Sequence, residues 1–254
     1  MITNDALKQI MPNLSDAKRA AYLPPLQSAL TEFAVNAPRR EAAFLAQVAH
    51  ESGEFRWMEE IWGPTAAQKK YEPPSDTATK LGNTQPGDGK RFKGRGPIQI
   101  TGRANYAKYG GRLGINLINN PEKAATPEVG FRVAGLFWQR NGLNELADRE
   151  MFETITRRIN GGLNGYADRL KYYARAKQVL GVGTTRAMLE PASEGDLPLL
   201  PEFSRGREVL DAEPTVKKMR RPPTRKGKRA SKKAATKKAA PKTGQSKSSS
   251  SKKK

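Results

Sequence analysis

The chain has 254 residues and a mass of 28.0 kDa, enough for one generous domain or for one domain with a long appendage. It contains no Cys and a single His, His50, which excludes disulfides, thiolate zinc sites, a cysteine nucleophile and any multi-His metal centre. The charge of +21 is uneven: residues 217–254 carry 17 Lys and Arg and no acid, residues 184–216 carry 3 basic and 7 acidic side chains, and residues 1–183 carry 26 basic against 18 acidic.

Taken in chain order, Met1-Ile-Thr-Asn-Asp lacks the basic start and apolar core of a secretory signal. No apolar run reaches the roughly 18 residues of a bilayer-spanning helix. Ser15 or Asp16 caps a short first helix that Pro24-Pro25 interrupts. Pro38 suits the first turn of a second helix, which runs through Glu41-Ala-Ala-Phe-Leu-Ala-Gln-Val-Ala-His-Glu and stops near Gly53. Gly63 to Pro97, rich in Pro, Gly, Thr, Asp and Lys, reads as a long loop of the kind that compact domains keep for use. Val129–Gln139, Met151–Ile159 and Tyr166–Leu180 have apolar residues at helical spacing.

All the tryptophans and tyrosines precede residue 174, and the folded unit is expected to end near Leu180-Gly181. Residues 184–216, with four prolines, read as an acidic linker. Residues 217–254, built from Lys, Arg, Ser, Ala, Pro and Thr with no aromatic, read as a disordered basic tail, because they cannot bury enough apolar area to offset their ordering entropy. Such a tail binds phosphates or anionic envelope head groups without sequence preference.

Three segments carry chemistry. Glu51 shares a helix face with Phe44 and Val48. Desolvation and the helix C-terminus both raise the pKa of such a carboxyl, so that it can act as a general acid. The plain alternative is a solvated Glu at a helix end. A second carboxylate follows at Glu59 or Glu60, and two carboxylates in different protonation states are what glycosidic-bond hydrolysis requires. Arg91-Phe-Lys-Gly-Arg-Gly-Pro-Ile-Gln-Ile-Thr-Gly-Arg-Ala-Asn-Tyr offers the amides and hydroxyl of Gln99, Thr101 and Asn105 around two glycines. It is neither a Walker A loop nor a dinucleotide fingerprint.

Together, His50-Glu51-Ser52-Gly53, Gly94-Arg-Gly-Pro-Ile-Gln-Ile-Thr, Ile159-Asn-Gly-Gly and Ala167-Asp-Arg-Leu-Lys-Tyr-Tyr resemble the four signature blocks of glycoside hydrolase family 19, in the family's order, over roughly residues 30–183. The compact form is more like the bacteriophage endolysins of this family than its plant chitinases. The resemblance implies a mainly α, lysozyme-like bilobal helical domain with a long cleft loop. It implies Glu51 as general acid, Glu60 as general base and Thr101 as a holder of the attacking water. It implies Gln99, Asn105 and Asn160 as substrate-binding amides and Arg169 as the arginine of the closing helix. The Glu59-Glu60-Ile-Trp-Gly stretch departs from the phage pattern, so Glu59 stays open as the base.

His50 reads as structural and Trp138 as core, while Trp57 and Trp62 either pack or stack on sugars. The expected substrate is a β-1,4-linked amino-sugar polymer, peptidoglycan first and chitin as the alternative. No metal or cofactor is expected, and the protein is expected to be a monomer. It is expected to be made in a host cytoplasm and to reach the wall once another protein has breached the membrane.

Overall fold

The chain opens with a helix that the periodicity did not announce, α1 (Asn4–Ile10), started by the Thr3 hydroxyl accepting from the Ala6 N–H at 3.2 Å. The computed structural model describes residues 1–183; the expected linker at 184–216 and basic tail at 217–254 lie outside the described residues. After a turn at Met11–Leu14, Ser15 caps α2 (Asp16–Glu32).

Here the structure corrects the sequence reading, since α2 continues unbroken through Pro24 and Pro25. Each proline removes a helical N–H and crowds the carbonyl four residues back, at a cost of about 3 kcal/mol. What outweighs it lies further on: Leu26, Ala29, Leu30 and then Phe33 are all buried. Full burial of one Leu is worth about 1.5–3 kcal/mol, so tertiary packing overrides the local preference.

α3 (Pro38–Ser52) starts on Pro38 and ends at Gly53, whose φ of +58° is the left-handed C-cap expected for a glycine there. The helix is buried on nearly every side: Glu41 through Ala49, then Glu51 and Ser52, are shielded, and His50 is partly exposed. It is therefore the central helix of the core rather than a surface helix with one apolar stripe.

Gly63–Pro97 is not wholly irregular. It contains three one-turn helices, α4 (Ala66–Lys69), α5 (Asp76–Lys80) and α6 (Asp88–Arg91), the first two started by hydroxyl caps at Thr65 and Ser75. α7 (Arg103–Leu113) follows the Gly-rich segment, and a 3-10 turn at Pro121–Ala125 leads into α8 (Pro127–Arg140). α9 (Leu143–Asp148), α10 (Phe152–Asn160) and α11 (Tyr166–Val179) complete the described chain, with Leu180 and Gly181 closing α11 as expected.

α11 lies along α3 and α2 lies along α8. Phe44 meets Trp138 edge to face at 5.3 Å, Phe55 meets Phe131 at 4.9 Å, and Phe152 stacks on Tyr173 at 4.0 Å. Trp138 is core, as expected, and its indole N–H donates to Asn144 at 3.0 Å. Among the described residues the only extended pairing is two isolated bridges, Glu59 with Arg95 and Arg95 with Ile100. No helix among them is long and apolar enough to cross a membrane. The mainly α class is the one observed.

Candidate active site

Two clusters hold the expected site residues. The first is buried between α3, α10 and α11. Glu51 stands one residue from the end of α3, its side chain 1% exposed, and Oε1 accepts from Arg169 Nη2. Arg169 is equally buried and spends its other donors on neutral acceptors, Gln47 Oε1 at 2.5 Å and the Asn164 carbonyl at 3.4 Å. Gln47 in turn donates to the Thr156 hydroxyl at 2.8 Å, which donates to the Phe152 carbonyl.

The guanidinium therefore compensates a carboxylate that burial alone would leave isolated, and a chain of neutral amides and hydroxyls fixes its position. The burial of Glu51 was read from its helix face; a cation against it was not. Oε2 of Glu51 is buried and makes no hydrogen bond. Asn160, at the end of α10, donates to the carbonyls of Gly162 and Asn164, so it meets Arg169 at the same Asn164 oxygen.

The second cluster surrounds Gly94. Glu60 Oε2 accepts from the Gly94 N–H at 3.0 Å, and the Glu60 N–H donates to the Gly94 carbonyl at 2.8 Å. Oε1 of Glu60 accepts from Gln68 Nε2 at 2.9 Å. A Cβ on Gly94 would lie 2.7 Å from Gln99 Oε1 and 3.4 Å from both Glu60 Oε2 and Thr101 Oγ1, so these three oxygens converge on one point. Only a glycine leaves that point open.

Thr101 is 3% exposed and donates to the Gln99 carbonyl at 3.0 Å, while Asn105 holds the Thr101 carbonyl at 2.8 Å from the first turn of α7. Gln99, at a left-handed φ of +53°, gives its amide protons to the carbonyls of Gly96 and Trp57. A non-glycine residue held in that region costs on the order of 1–3 kcal/mol, which the two amide bonds help to offset.

Glu59 and Glu60 differ in their surroundings. Glu59 pairs with Arg95 Nε at 2.9 Å and Lys93 Nζ at 3.3 Å. Burial pushes its carboxyl up, but the two cations outweigh that and hold it below its ordinary value. Glu60 accepts from neutral donors only, the Gly94 N–H and the Gln68 amide. Tyr71 stands nearby, its hydroxyl pushed up to about 12 by burial and by the charge of Glu60, and its ring lies 6.3 Å from that of Trp62.

Gln47, Gln68 and Tyr71 were not singled out from the sequence. For Gln68 a signal existed: Thr65-Ala-Ala-Gln68 is a capping box, which starts α4 and leaves the Gln68 amide protons for Glu60 and the Ile61 carbonyl. Gln47 offered none, being one amide in a buried helix.

Trp57 joins the two clusters. Its N–H donates to Ser52 beside Glu51, its carbonyl accepts from Gln99, and its ring lies 3.2 Å from where a Gly53 Cβ would stand. His50 points elsewhere. Its Nδ1 lies 2.8 Å from Asp168 Oδ2, and a Cβ on Gly165, the N-cap of α11, would fall 2.4 Å from its ring. That ring braces α3 against α11.

The profile of a family described as chitinase class I matches residues 28–146, which include Glu51, Glu60, Gln99, Thr101 and Asn105. A glycosyl hydrolase family 19 domain-containing protein of Haemophilus influenzae is 37% identical over 157 residues, covering 53% of this chain and 76% of that protein. This chain belongs to glycoside hydrolase family 19. An endochitinase of Arabidopsis thaliana is 41% identical over 145 residues, 57% of this chain and 47% of that protein. The chain thus spans about half the length of such curated plant relatives.

The crystal structure of chitinase C from Streptomyces griseus superposes with a TM-score of 0.56 at 26% identity, over 71% of this chain and 92% of that one. A class IV family 19 chitinase from Zea mays gives 0.52 at 25%, over 72% and 94%. The lysozyme-like helical fold expected from the signature blocks is that of the family. Asn160 and Arg169 lie beyond the matched segment, yet the structure brings Arg169 onto Glu51.

Proposed function

We propose that the protein hydrolyses β-1,4 bonds of N-acetylated amino-sugar polymers with inversion, Glu51 acting as acid and Glu60 as base. The observation that carries this reading is the unequal setting of the two carboxylates. Arg169 holds one oxygen of Glu51 while the other, Oε2, has no partner in the protein, so Oε2 is the atom left to hand a proton to the leaving glycosidic oxygen. Glu60, held by the Gly94 N–H and the Gln68 amide, stays an acceptor and takes a proton from a water bound beside it on the side of the Thr101 hydroxyl. An inverting pair leaves room for that water, about 6.5–9.5 Å between the carboxyls. Glu59, locked by Arg95 and Lys93, is assigned a structural role.

Bacterial peptidoglycan is the substrate we propose first, cut by a lytic enzyme of the phage type that meets the wall after another protein has opened the membrane. The +17 of residues 217–254 supports an anionic polymer over neutral chitin. Chitin is the second reading, favoured by the relatives named endochitinases. Digestion of purified peptidoglycan and of chitin, with mass analysis of the new reducing ends, tests both. Release of muropeptides ending in a reducing amino sugar supports the first, release of chitin oligosaccharides alone supports the second, and no new reducing ends from either sinks the activity.

A further inference from the structure

Between Glu51 and Glu60 the backbone makes a turn in which three successive residues are left-handed: Gly53 at +58°, Glu54 at +60° and Phe55 at +58°. The last two are not glycines, and an L side chain adopts this conformation only where its surroundings enforce it. What enforces it at Glu54 is visible. The side chain turns inward and is 4% exposed, and its two oxygens accept three hydrogen bonds. The Asn13 N–H donates at 2.6 Å, Asn13 Nδ2 at 2.8 Å and the Tyr172 hydroxyl at 2.8 Å. Burial, and after it the bond to Glu54, push the Tyr172 hydroxyl upward, which keeps it a donor. At Phe55 the N–H donates to the Ser52 hydroxyl at 2.8 Å and the ring is fully buried.

The turn leads into Trp57, whose carbonyl holds Gln99, and into Glu60, whose N–H holds Gly94. Tyr172 lies three residues after Arg169 on α11, so one stretch of this helix grips the turn through Tyr172 and the Glu51 carboxylate through Arg169. We propose that Glu54 is a positioning residue of the site: its carboxylate ties the left-handed turn to α11 and to the Asn13 loop, and so sets Glu60 and the Gly94 cluster in register with Glu51. It touches no substrate and moves no proton. The kinetic part of this inference rests on the proposed hydrolase activity; the geometric part does not.

The test compares the intact chain with Glu54→Gly, Glu54→Gln and Tyr172→Phe, well below every melting temperature. The first readout is kcat and KM on a soluble β-1,4-linked N-acetylglucosamine hexasaccharide; the second is amide hydrogen exchange. Glu54→Gly tolerates the left-handed backbone but loses the tie. It is expected to lower kcat about tenfold or more with KM changed less than about threefold, since misplacement by about 1 Å can cost about a hundredfold. It should also speed exchange at Glu60 and Gly94 at least about tenfold, with the amides of α8 unchanged. Glu54→Gln keeps an acceptor for Tyr172 and Asn13 Nδ2 but turns its NH2 toward the Asn13 N–H, so it should recover only part of the loss. Tyr172→Phe, which keeps both bonds to Asn13, should lie between Glu54→Gly and the intact chain. Wild-type kcat in folded Glu54→Gly, or unchanged exchange at Glu60 and Gly94, overturns the proposal. If the intact chain cleaves no glycan, the hydrolase reading fails while the exchange result still decides the role of Glu54.

Discussion

Arg169 donates to Glu51 across 118 positions of sequence, and each of the two side chains is 1% exposed. Neither charge is at ease alone in such a place, so removing one partner leaves the other uncompensated, at about 3–5 kcal/mol. Glu51→Gln is therefore expected to do two things at once. Turnover should fall about 10²–10⁴-fold, the usual loss when a positioned proton donor is removed. Thermal stability should fall as well, and the double variant Glu51→Gln with Arg169→Met should regain most of that stability while staying inactive. Retention of more than about a tenth of wild-type turnover by the folded single variant would remove Glu51 from the acid's role.

The base is tested by contrast between neighbours. Glu60→Gln should cost turnover about as heavily as loss of the acid, since an amide cannot take the proton from water that this carboxylate is proposed to take, and its NH2 would face the Gly94 or the Gln68 donor. Glu59→Gln should leave turnover within a few-fold, because its carboxylate is engaged with Arg95 and Lys93. The product formed first should be the α anomer, read by rapid NMR of a defined oligosaccharide. A β anomer appearing first would mean retention, and exchanged severities would move the base to Glu59.

Gly94→Ala makes a separate test of the convergence point. The new methyl would stand 2.7 Å from Gln99 Oε1, and Gln99 has little room to retreat while its amide is held by Trp57 and Gly96. The variant should fold, with kcat reduced about tenfold or more and a smaller change in KM. Wild-type kinetics would mean that Gln99, Thr101 and Glu60 need not meet there.

Asp88 gives a pH dependence with a definite sign. It accepts from Arg103 at 2.6 and 2.8 Å and from the N–H groups of Thr84 and Gln85, tying α6 and its approach to the start of α7. Burial raises its carboxyl, but Arg103 and the two backbone donors outweigh that and hold it below its ordinary value. A depressed folded value means that the stabilisation is complete above the ordinary carboxylate range and is lost as pH falls through the folded value. Asp88→Asn should thus lower the melting temperature by about 4–8 °C near neutrality, for a loss of about 2 kcal/mol. The gap should begin to narrow near the ordinary carboxylate value of about 4, where the unfolded chain's carboxyl takes up a proton, and should close only as pH falls through the lower folded value. A gap that does not narrow at all as pH falls below the ordinary carboxylate range would show packing rather than charge.

How much of this was legible in the sequence follows from where each signal resides. α3, α8, α10 and α11 announce themselves through apolar spacing and through Pro38, Gly53 and Gly181, all local features. α2 could not be read past Pro24-Pro25, because what holds it together is the burial of Leu26 and Leu30 in the core. α7 was hidden by its glycines at positions 110 and 111 and by the glycine that starts it. At the site, Glu51 and its buried face were visible as a pattern. Gln47 was not, since its value lies in reaching an arginine 122 residues away.

The last prediction separates the basic tail from the catalyst. Removing residues 217–254 takes the net charge from +21 to +4. The removed stretch has no aromatic and no run of apolar residues, and every residue of the two clusters lies before position 170. Melting temperature and turnover of soluble oligosaccharides should therefore stay close to those of the intact chain. Attack on anionic sacculi should slow instead, and retention on lipopolysaccharide or DNA should weaken. The intact chain's advantage should fade between low and several hundred millimolar salt, because exposed charges are screened over about 8 Å at physiological ionic strength and over less as salt rises. Equal losses on oligosaccharide and on sacculi would place the tail within the catalytic fold, and no loss on either would leave it without a part in attack on the wall.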